Sequence, residues 1–133
     1  MKVILNISIF LLLSSLALGQ TITEVKSSEF KSMLEKRSKR RSAIVDARSS
    51  SMFNAGHIAK AVNIDAFSNQ AAEELAKLKR RKTLFIYCTK TNRVNQMVLI
   101  LKEISYKGKI VKMVDGITGW KNNGFDTISE NTQ

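Results

Sequence analysis

Residues 84–93 read LFIYCTKTNR and carry the strongest structural signal in the chain. Four apolar residues predict a buried strand, a polar loop follows Cys88, and a helical pattern of apolar residues begins after Arg93. Ligands of open α/β sheets bind beyond the carboxyl ends of the strands, and the N–H groups in a helix's first turn attract anions. We therefore expect Cys88 to be a reactive thiol that favours its thiolate form. The alternative is a small, buried apolar residue.

Strand and helix patterns alternate on both sides of this stretch. Apolar runs predict strands at residues 22–25, 43–47, 61–64, 83–87 and 110–114. Helical spacing predicts a helix from Ser27 or Ser28 and further helices at 67–78 and 94–104, the last capped by Gly108. A short turn of helix is expected at 52–55, and residues 115–120 are expected to begin a final short helix. This alternation predicts an α/β fold, a three-layer sandwich with a central, mostly parallel sheet of about five strands flanked by helices. The strand at 83–87 is the most apolar, so we expect it at the centre.

The N-terminus has the pattern of a secretory signal peptide. Lys2 precedes an apolar stretch at residues 3–18, and small residues at 17–19 supply a cleavage site before Gln20. A membrane-spanning helix needs about 20 apolar residues, so this stretch is short for an anchor. We expect cleavage of residues 1–19. Residues 20–133 would then form one exported domain, with its core at about 22–128, that does not span a membrane. The bacterial periplasm is favoured as its location, and secretion is the alternative.

The cysteine and histidine counts exclude several chemistries. A single cysteine cannot form an intramolecular disulfide, which excludes a dithiol redox enzyme and a cysteine-held metal cluster. His57 is the only histidine, which argues against a histidine-rich metal site, and we expect it to fix a turn. The sequence therefore predicts no metal and no cofactor. Basic groups and backbone dipoles must activate Cys88.

Positive charge is concentrated in two clusters. The chain has a net charge of +11, and residues 36–41 (KRSKRR) and 77–82 (KLKRRK) supply much of it. Each cluster follows a predicted helix, where cations favour the negative end of the helix dipole. We interpret both clusters as solvent-exposed faces, with binding to a polyanion as the alternative. Nucleic acid is disfavoured as a partner, because no nucleic-acid motif is present and no aromatic residues interleave the clusters.

Three stretches resemble those of rhodanese domains. Residues 44–48 (IVDAR) and 53–58 (FNAGHI) resemble the family's Asp-x-Arg and Glu-Phe-x-x-Gly-His-Ile. The segment from Cys88 to Arg93 is similar to the active-site loop Cys-x-x-Gly-x-Arg, and residues 114–120 (VDGITGW) to Leu-x-Gly-Gly-x-x-x-Trp. The stretches follow the family's order and spacing over nearly the whole chain after the signal. The resemblance implies a rhodanese-like fold and a single-domain sulfurtransferase.

The resemblance also implies roles for individual residues. Cys88 would accept sulfane sulfur from an anionic donor such as thiosulfate and pass it, through a persulfide, to cyanide or to a thiol, including a partner protein's thiol. The residues implied to form the active-site loop and bind substrate are Thr89, Lys90, Thr91, Asn92 and Arg93. Lys90 and Arg93 are placed to attract a dianionic donor. Arg93 would alternatively shape the loop, paired with Asp46, and Arg48 is expected at the pocket rim or in support of the loop.

The length of the loop and one substitution within it bear on activity. Four residues separate Cys88 from Arg93, one fewer than in related phosphatase and arsenate-reductase domains, which favours sulfur transfer over phosphate hydrolysis. Thr91 replaces the loop glycine, so we expect either strain or a different loop conformation there. This keeps open an alternative function as a low-activity sulfur carrier, thiol sensor or protein-binding module. Lys60 and Asp115 also replace family glycines, and we interpret both as local turn variations.

Overall fold

Strands and helices alternate throughout residues 20–130, which are the residues that the computed structural model describes. The strands in this region are β1 (Thr21–Val25), β2 (Ser42–Asp46), β3 (Ala61–Asn63), β4 (Thr83–Tyr87) and β5 (Lys109–Met113). The helices are α1 (Ser27–Lys36), α2 (Ser50–Ala55), α3 (Ala71–Ala76), α4 (Asn92–Glu103) and α5 (Gly116–Asn122). The signal peptide predicted at residues 1–19 lies outside the described residues.

The five strands form one parallel sheet in the order β1-β5-β4-β2-β3. The chain moves from β2 to β3 toward one edge and from β4 to β5 toward the other. The central position of β4 is confirmed, and its residue Phe85 pairs with Ile44 on one side and Val111 on the other. Ligands of such sheets bind where the connections diverge, beyond the carboxyl ends of the strands.

Each face of the sheet packs against helices, which confirms the three-layer α/β prediction. Leu84 and Ile86 of β4 belong to one core together with apolar residues of α3 and α4. Phe85 and Tyr87 belong to a second core together with residues of α1 and α5. Successive side chains of a strand point to opposite faces, so a continuous apolar run is required when both faces are covered.

Three helix boundaries differ from the sequence prediction. Helix α1 is capped by Lys26, and the expected cap Ser27 instead bonds the Asp115 carboxylate through its N–H and hydroxyl, both at 2.8 Å. Helix α3 is shorter than predicted. The N–H of Phe67 bonds Asp65 Oδ1 at 3.0 Å and holds residue 67 in a turn. After α4 the chain reverses at Ser105 (φ 58°), so the prediction of a Gly108 cap is wrong.

Candidate active site

Cys88 lies at the carboxyl end of the central strand, immediately after Tyr87. Cys88 is 2% exposed and lines a pocket of about 320 Å³. The other residues that line this pocket are Phe67 and the whole predicted loop, Thr89, Lys90, Thr91, Asn92 and Arg93. The structure therefore brings together the thiol and all five loop residues that the sequence analysis grouped with it.

The loop leads directly into α4 without backbone strain. Thr91 is the N-cap of α4 with φ −136°, so the strain expected from replacing the family glycine is not found. Hydrogen bonding within α4 begins with the N–H of Asn95, which donates to Thr91 O at 3.0 Å. The N–H groups of residues 92–94 therefore have no acceptor within the helix, and such groups attract anions beside the positive end of the helix dipole.

Two residues that line the pocket carry buried polar atoms without hydrogen-bond partners. Thr89 Oγ1 and Arg93 Nε are buried, and neither has a hydrogen-bond partner among residues 20–130. Buried polar atoms are nearly always paired in folded proteins, so two unpaired donors in one pocket wall favour a ligand with acceptor atoms. The exposed Lys90 side chain adds positive charge at the same pocket. Together these groups favour a small anion.

The Arg93 guanidinium contacts an apolar rim and does not pair with Asp46. Its Nη1 donates to Met52 Sδ at 3.4 Å, and its Cζ lies 5.4 Å from the centre of the Phe67 ring. The alternative of an Arg93–Asp46 pair is wrong, because Asp46 bonds Arg48 instead. Phe67, which was assigned to a helix face, is 63% exposed and lines the pocket. Its position depends on the turn before α3, which helical spacing alone did not reveal.

Arg48 lies beneath the carboxyl edge of the sheet and does not line the Cys88 pocket. It is 5% exposed, and its Nε and Nη2 donate to Asp46 Oδ1 and Oδ2 at 3.0 and 2.7 Å. Nη2 also donates to Gly56 O at 2.6 Å. Burial acts to lower the pKa of Arg48, but Asp46 outweighs it, so this pKa lies above its usual value. The expectation that Arg48 lies at the pocket rim is wrong, because the buried carboxylate and Gly56 O hold its guanidinium elsewhere.

Comparison with known families agrees with this geometry. A family model described as the rhodanese-like domain matches residues 27–123. The chain belongs to the rhodanese-like family. A search of curated protein sequences gave no match.

Solved rhodanese-like structures share the fold at low sequence identity. The rhodanese-like domain of the Alr3790 protein from Anabaena sp. is 22% identical, with a TM-score of 0.67, covering 82% of this chain and 83% of that one. A rhodanese-related protein from Thermoplasma volcanium is 21% identical, with a TM-score of 0.66, covering 81% and 99%. A thiosulfate sulfurtransferase from Pseudomonas aeruginosa is 18% identical, with a TM-score of 0.62, covering 84% of this chain and 21% of that protein.

Helix α5 contacts the backbone of the loop that begins at Cys88. The N–H of Ile117 donates to Cys88 O at 2.9 Å, and the Thr118 hydroxyl donates to Thr89 O at 3.3 Å. Gly116 lies so close that a Cβ there would stand 2.0 Å from Thr89 O. These contacts could not be predicted from the sequence, although residues 114–120 include one of the three stretches that resemble the family. Residues 116–118 therefore fix the position of the backbone at Cys88 and Thr89.

Two further buried residues, His57 and Tyr87, make contacts that fix the segments around the site. His57 is 2% exposed, its Nδ1 is bonded to Phe53 O at 2.8 Å, and its ring stacks on Phe53 with centres 3.6 Å apart. These contacts agree with the expected turn-fixing role. Tyr87 lies under Arg48, and its hydroxyl accepts the Ile58 N–H at 3.0 Å. Burial, with the nearby Asp46 carboxylate, raises the pKa of Tyr87 well above its ordinary value.

The described region contains no group of residues suited to bind a metal ion. Within residues 20–130, no three His, Cys, Asp or Glu side chains are grouped so that they could hold a metal ion. Over the same range, none of the helices has the length and apolar character needed to cross a membrane.

Proposed function

We propose that this rhodanese-like domain is a sulfurtransferase that carries sulfane sulfur on Cys88. The observation that carries the proposal is the position of the thiol. Cys88 lines a pocket at the carboxyl edge of the sheet, beside the first turn of α4 and two unpaired buried polar atoms. Membership of the rhodanese-like family and the likeness to a thiosulfate sulfurtransferase support this proposal.

The proposed reaction has two displacement steps. The Cys88 thiolate attacks the outer sulfur of thiosulfate, the sulfur–sulfur bond of the donor breaks, and sulfite leaves with the bonding electron pair. A nucleophile such as cyanide then attacks the outer sulfur of the persulfide. The new bond gives thiocyanate, and the Cys88 thiolate is regenerated. A thiolate acceptor, including one on a partner protein, would follow the same course and become the persulfide itself.

Loop groups would stabilise the charges that develop during this reaction. The N–H groups of residues 92–94 have no acceptor within α4, so they are available to the anionic outer sulfur of the persulfide. The Thr89 hydroxyl and Arg93 Nε would bind oxygens of the donor, and Lys90 would raise its local concentration. No metal or cofactor is required by these steps.

The proposal is tested by assaying thiosulfate:cyanide transfer together with intact mass. The wild-type protein is expected to turn over and, after incubation with thiosulfate alone, to gain about 32 Da as a persulfide. Cys88→Ser should lose both properties. A second variant, Cys88→Ser/Ser28→Cys, moves the thiol to an exposed position on α1 and should recover neither. A wild-type protein without turnover or mass gain would refute the proposal, as would equal activity from the relocated thiol.

The alternative, a low-activity sulfur carrier, thiol sensor or binding module, is favoured by one observation. Cys88 is 2% exposed, so a bulky acceptor has little access to its sulfur. The carrier alternative predicts stoichiometric loading from thiosulfate with only slow release to a bulky thiol acceptor. Single-turnover measurement of each step separates the two functions. Fast loading with slow discharge supports the carrier, and comparable rates support the enzyme.

We also propose that the domain is exported after removal of residues 1–19. The support is the sequence pattern of Lys2, the apolar stretch and the small residues before Gln20. Expression of the full chain in a bacterium, followed by fractionation and intact mass, tests this proposal. A periplasmic protein that begins at Gln20 is expected. Recovery of the uncleaved chain in the cytoplasm would refute it.

A further inference from the structure

The two basic clusters meet at the amino-terminal edge of the sheet, opposite the Cys88 pocket. The N–H of Lys82 donates to Arg41 O at 2.7 Å, and the Arg81 guanidinium donates to Arg40 O. Residues 36–41 and 77–82 lie 36 or more positions apart in the sequence, so only the parallel sheet brings them together. The fold therefore combines two local charge clusters into one surface.

This surface is concave. One pocket of about 400 Å³ lies beside the starts of β2, β4 and β5, and its cations are Lys36, Arg37, Arg41, Lys82 and Lys109. A second pocket of about 280 Å³ adds Lys39, Lys60 and Arg81. The two pockets share Arg37 and Ser42, so they form one continuous strip. We call these eight cations the basic band.

The charge of the basic band is not neutralised within the described part of the chain. Among residues 20–130, no carboxylate lines either pocket, and no member of the band forms an ion pair. Arg37 Nη1 is held by Leu34 O at 2.7 Å, which fixes one guanidinium at the junction of the two pockets. Cations held together without counter-charges repel one another, and a bound polyanion would relieve that repulsion.

We infer that the basic band binds a linear sulfated polysaccharide. A thin chain with closely spaced sulfates matches a continuous concave strip of separated cations. The half-buried Met33 supplies apolar lining in the larger pocket, against which the C–H face of a sugar ring can pack. This inference rests on the band alone and is independent of the Cys88 chemistry.

Two other polyanions fit the surface less well. Single-stranded nucleic acid binds through aromatic platforms, whereas the one aromatic residue in these pockets, Phe85, is 3% exposed and cannot stack on a base. Membrane association uses apolar side chains that enter the lipid. Of the large apolar residues that are exposed in the described region, only Val62 lines the band. A thin, sugar-based polyanion satisfies both constraints.

The test compares two charge-matched double variants. Lys36→Gln/Lys109→Gln removes two cations from the band, and Lys26→Gln/Lys121→Gln removes two exposed cations that line neither pocket. Titration with a short heparin oligosaccharide at physiological salt is expected to show affinity weakened about fivefold to tenfold in the first variant and less than about twofold in the second. The desulfated oligosaccharide should not bind. Thermal unfolding of both variants confirms that each is folded.

Specific results would overturn the inference. If both variants lost affinity for heparin equally, binding would depend on the net charge of the protein and not on the basic band. No heparin binding at physiological salt would also overturn it. Duplex DNA and phosphatidylserine vesicles serve as further arms. The inference would also be wrong if either of them bound more tightly than heparin at the same salt and bound more weakly to the Lys36→Gln/Lys109→Gln variant. The basic band would then be a binding site for that class of partner.

Discussion

Lys60 has the backbone conformation of a glycine. Its φ is 69°, and it is the third residue of a turn that is closed by the Ala61 N–H bond to Ile58 O at 3.1 Å. A type II turn requires positive φ at this position, which glycine adopts without steric cost. The family glycine expected here is absent, but the conformation that it serves is kept. Unlike Thr91, Lys60 therefore has a strained backbone conformation.

Replacing Lys60 with glycine should stabilise the fold. Lys60→Gly is expected to raise the free energy of unfolding by about 0.5–1 kcal/mol, because relief of the left-handed conformation exceeds the entropy cost of glycine. Urea unfolding measures the change. Lys60→Ala is the matched control, since it removes the same charge but keeps the strain, and it should leave the stability near that of the wild type. Equal stabilisation by both substitutions would show that charge is responsible.

The ionisation of the two tyrosines should reflect the burial of their side chains. The chain has two tyrosines, and burial raises the pKa of Tyr106 from 10.0 to about 12 and that of Tyr87 further. Spectrophotometric titration of the folded protein should show no tyrosinate near pH 10, with Tyr106 ionising at about 12. Because the unfolded chain loses these protons first, stability is complete below about pH 10 and falls as the pH rises toward 12. A native transition near 10 would contradict this prediction.

For individual residues, the sequence predicted the site correctly where the residues are consecutive in the chain. Cys88 and the loop that follows it are contiguous, so a strand-loop-helix pattern was enough to group them. Arg48 could not be placed in this way. Its carboxylate partner lies two residues away, and only the buried end of β2 determines that the side chain folds back toward Asp46 and Gly56. Partner choice for a charged side chain depends on burial, which local sequence does not encode.

At the element scale, the beginning of α5, together with the residue before it, contacts two other parts of the molecule. Asp115 holds the start of α1, Ile117 and Thr118 hold the active-site loop, and Gly119 leaves room for the Asp115 carboxylate. The sequence predicted the existence of all five strands and the long helix from hydrophobic patterning. It misplaced the ends of α1, α3 and α4, because these are set by side-chain contacts such as Ser27 with Asp115 and Phe67 N–H with Asp65.

Gly116 should be required for the geometry of the active-site loop. Its φ is 59°, and a Cβ there would stand 2.0 Å from Thr89 O. Gly116→Ala must displace the loop backbone, so we expect a cost of about 1–3 kcal/mol in stability and a fall of at least about tenfold in kcat/KM for thiosulfate. Urea unfolding and steady-state kinetics measure both effects.

Gly124 provides a matched control for this experiment. It has a similar φ of 76°, but nothing lies within 4 Å of the Cβ that a substitution would add. Gly124→Ala should cost about 1 kcal/mol through the backbone alone and leave transfer activity unchanged. If both variants lost the same stability and kept full activity, the contact between Gly116 and the loop would have no functional role.

At the scale of the whole molecule, the parallel sheet separates two electrostatic regions. The Cys88 pocket lies at the carboxyl edge and the basic band at the amino edge, with five-residue strands between them. A strand of that length spans about 16 Å, which is about twice the Debye length of roughly 8 Å at physiological ionic strength. The two regions should therefore act on anions independently, although both are positive.

Steady-state kinetics at physiological salt test this independence. Lys36→Gln/Lys109→Gln should leave the KM for thiosulfate within about twofold of the wild type, because the missing charges lie beyond the screening length. Lys90→Gln removes one charge at the pocket itself and should raise KM about threefold to fivefold, with little change in kcat. Lowering the salt to about 0.01 M extends the Debye length to roughly 30 Å. There the band variant should also show a raised KM. A band effect that is equally large at both salt concentrations would mean that the two edges are coupled through the structure, and not through the electrostatic field.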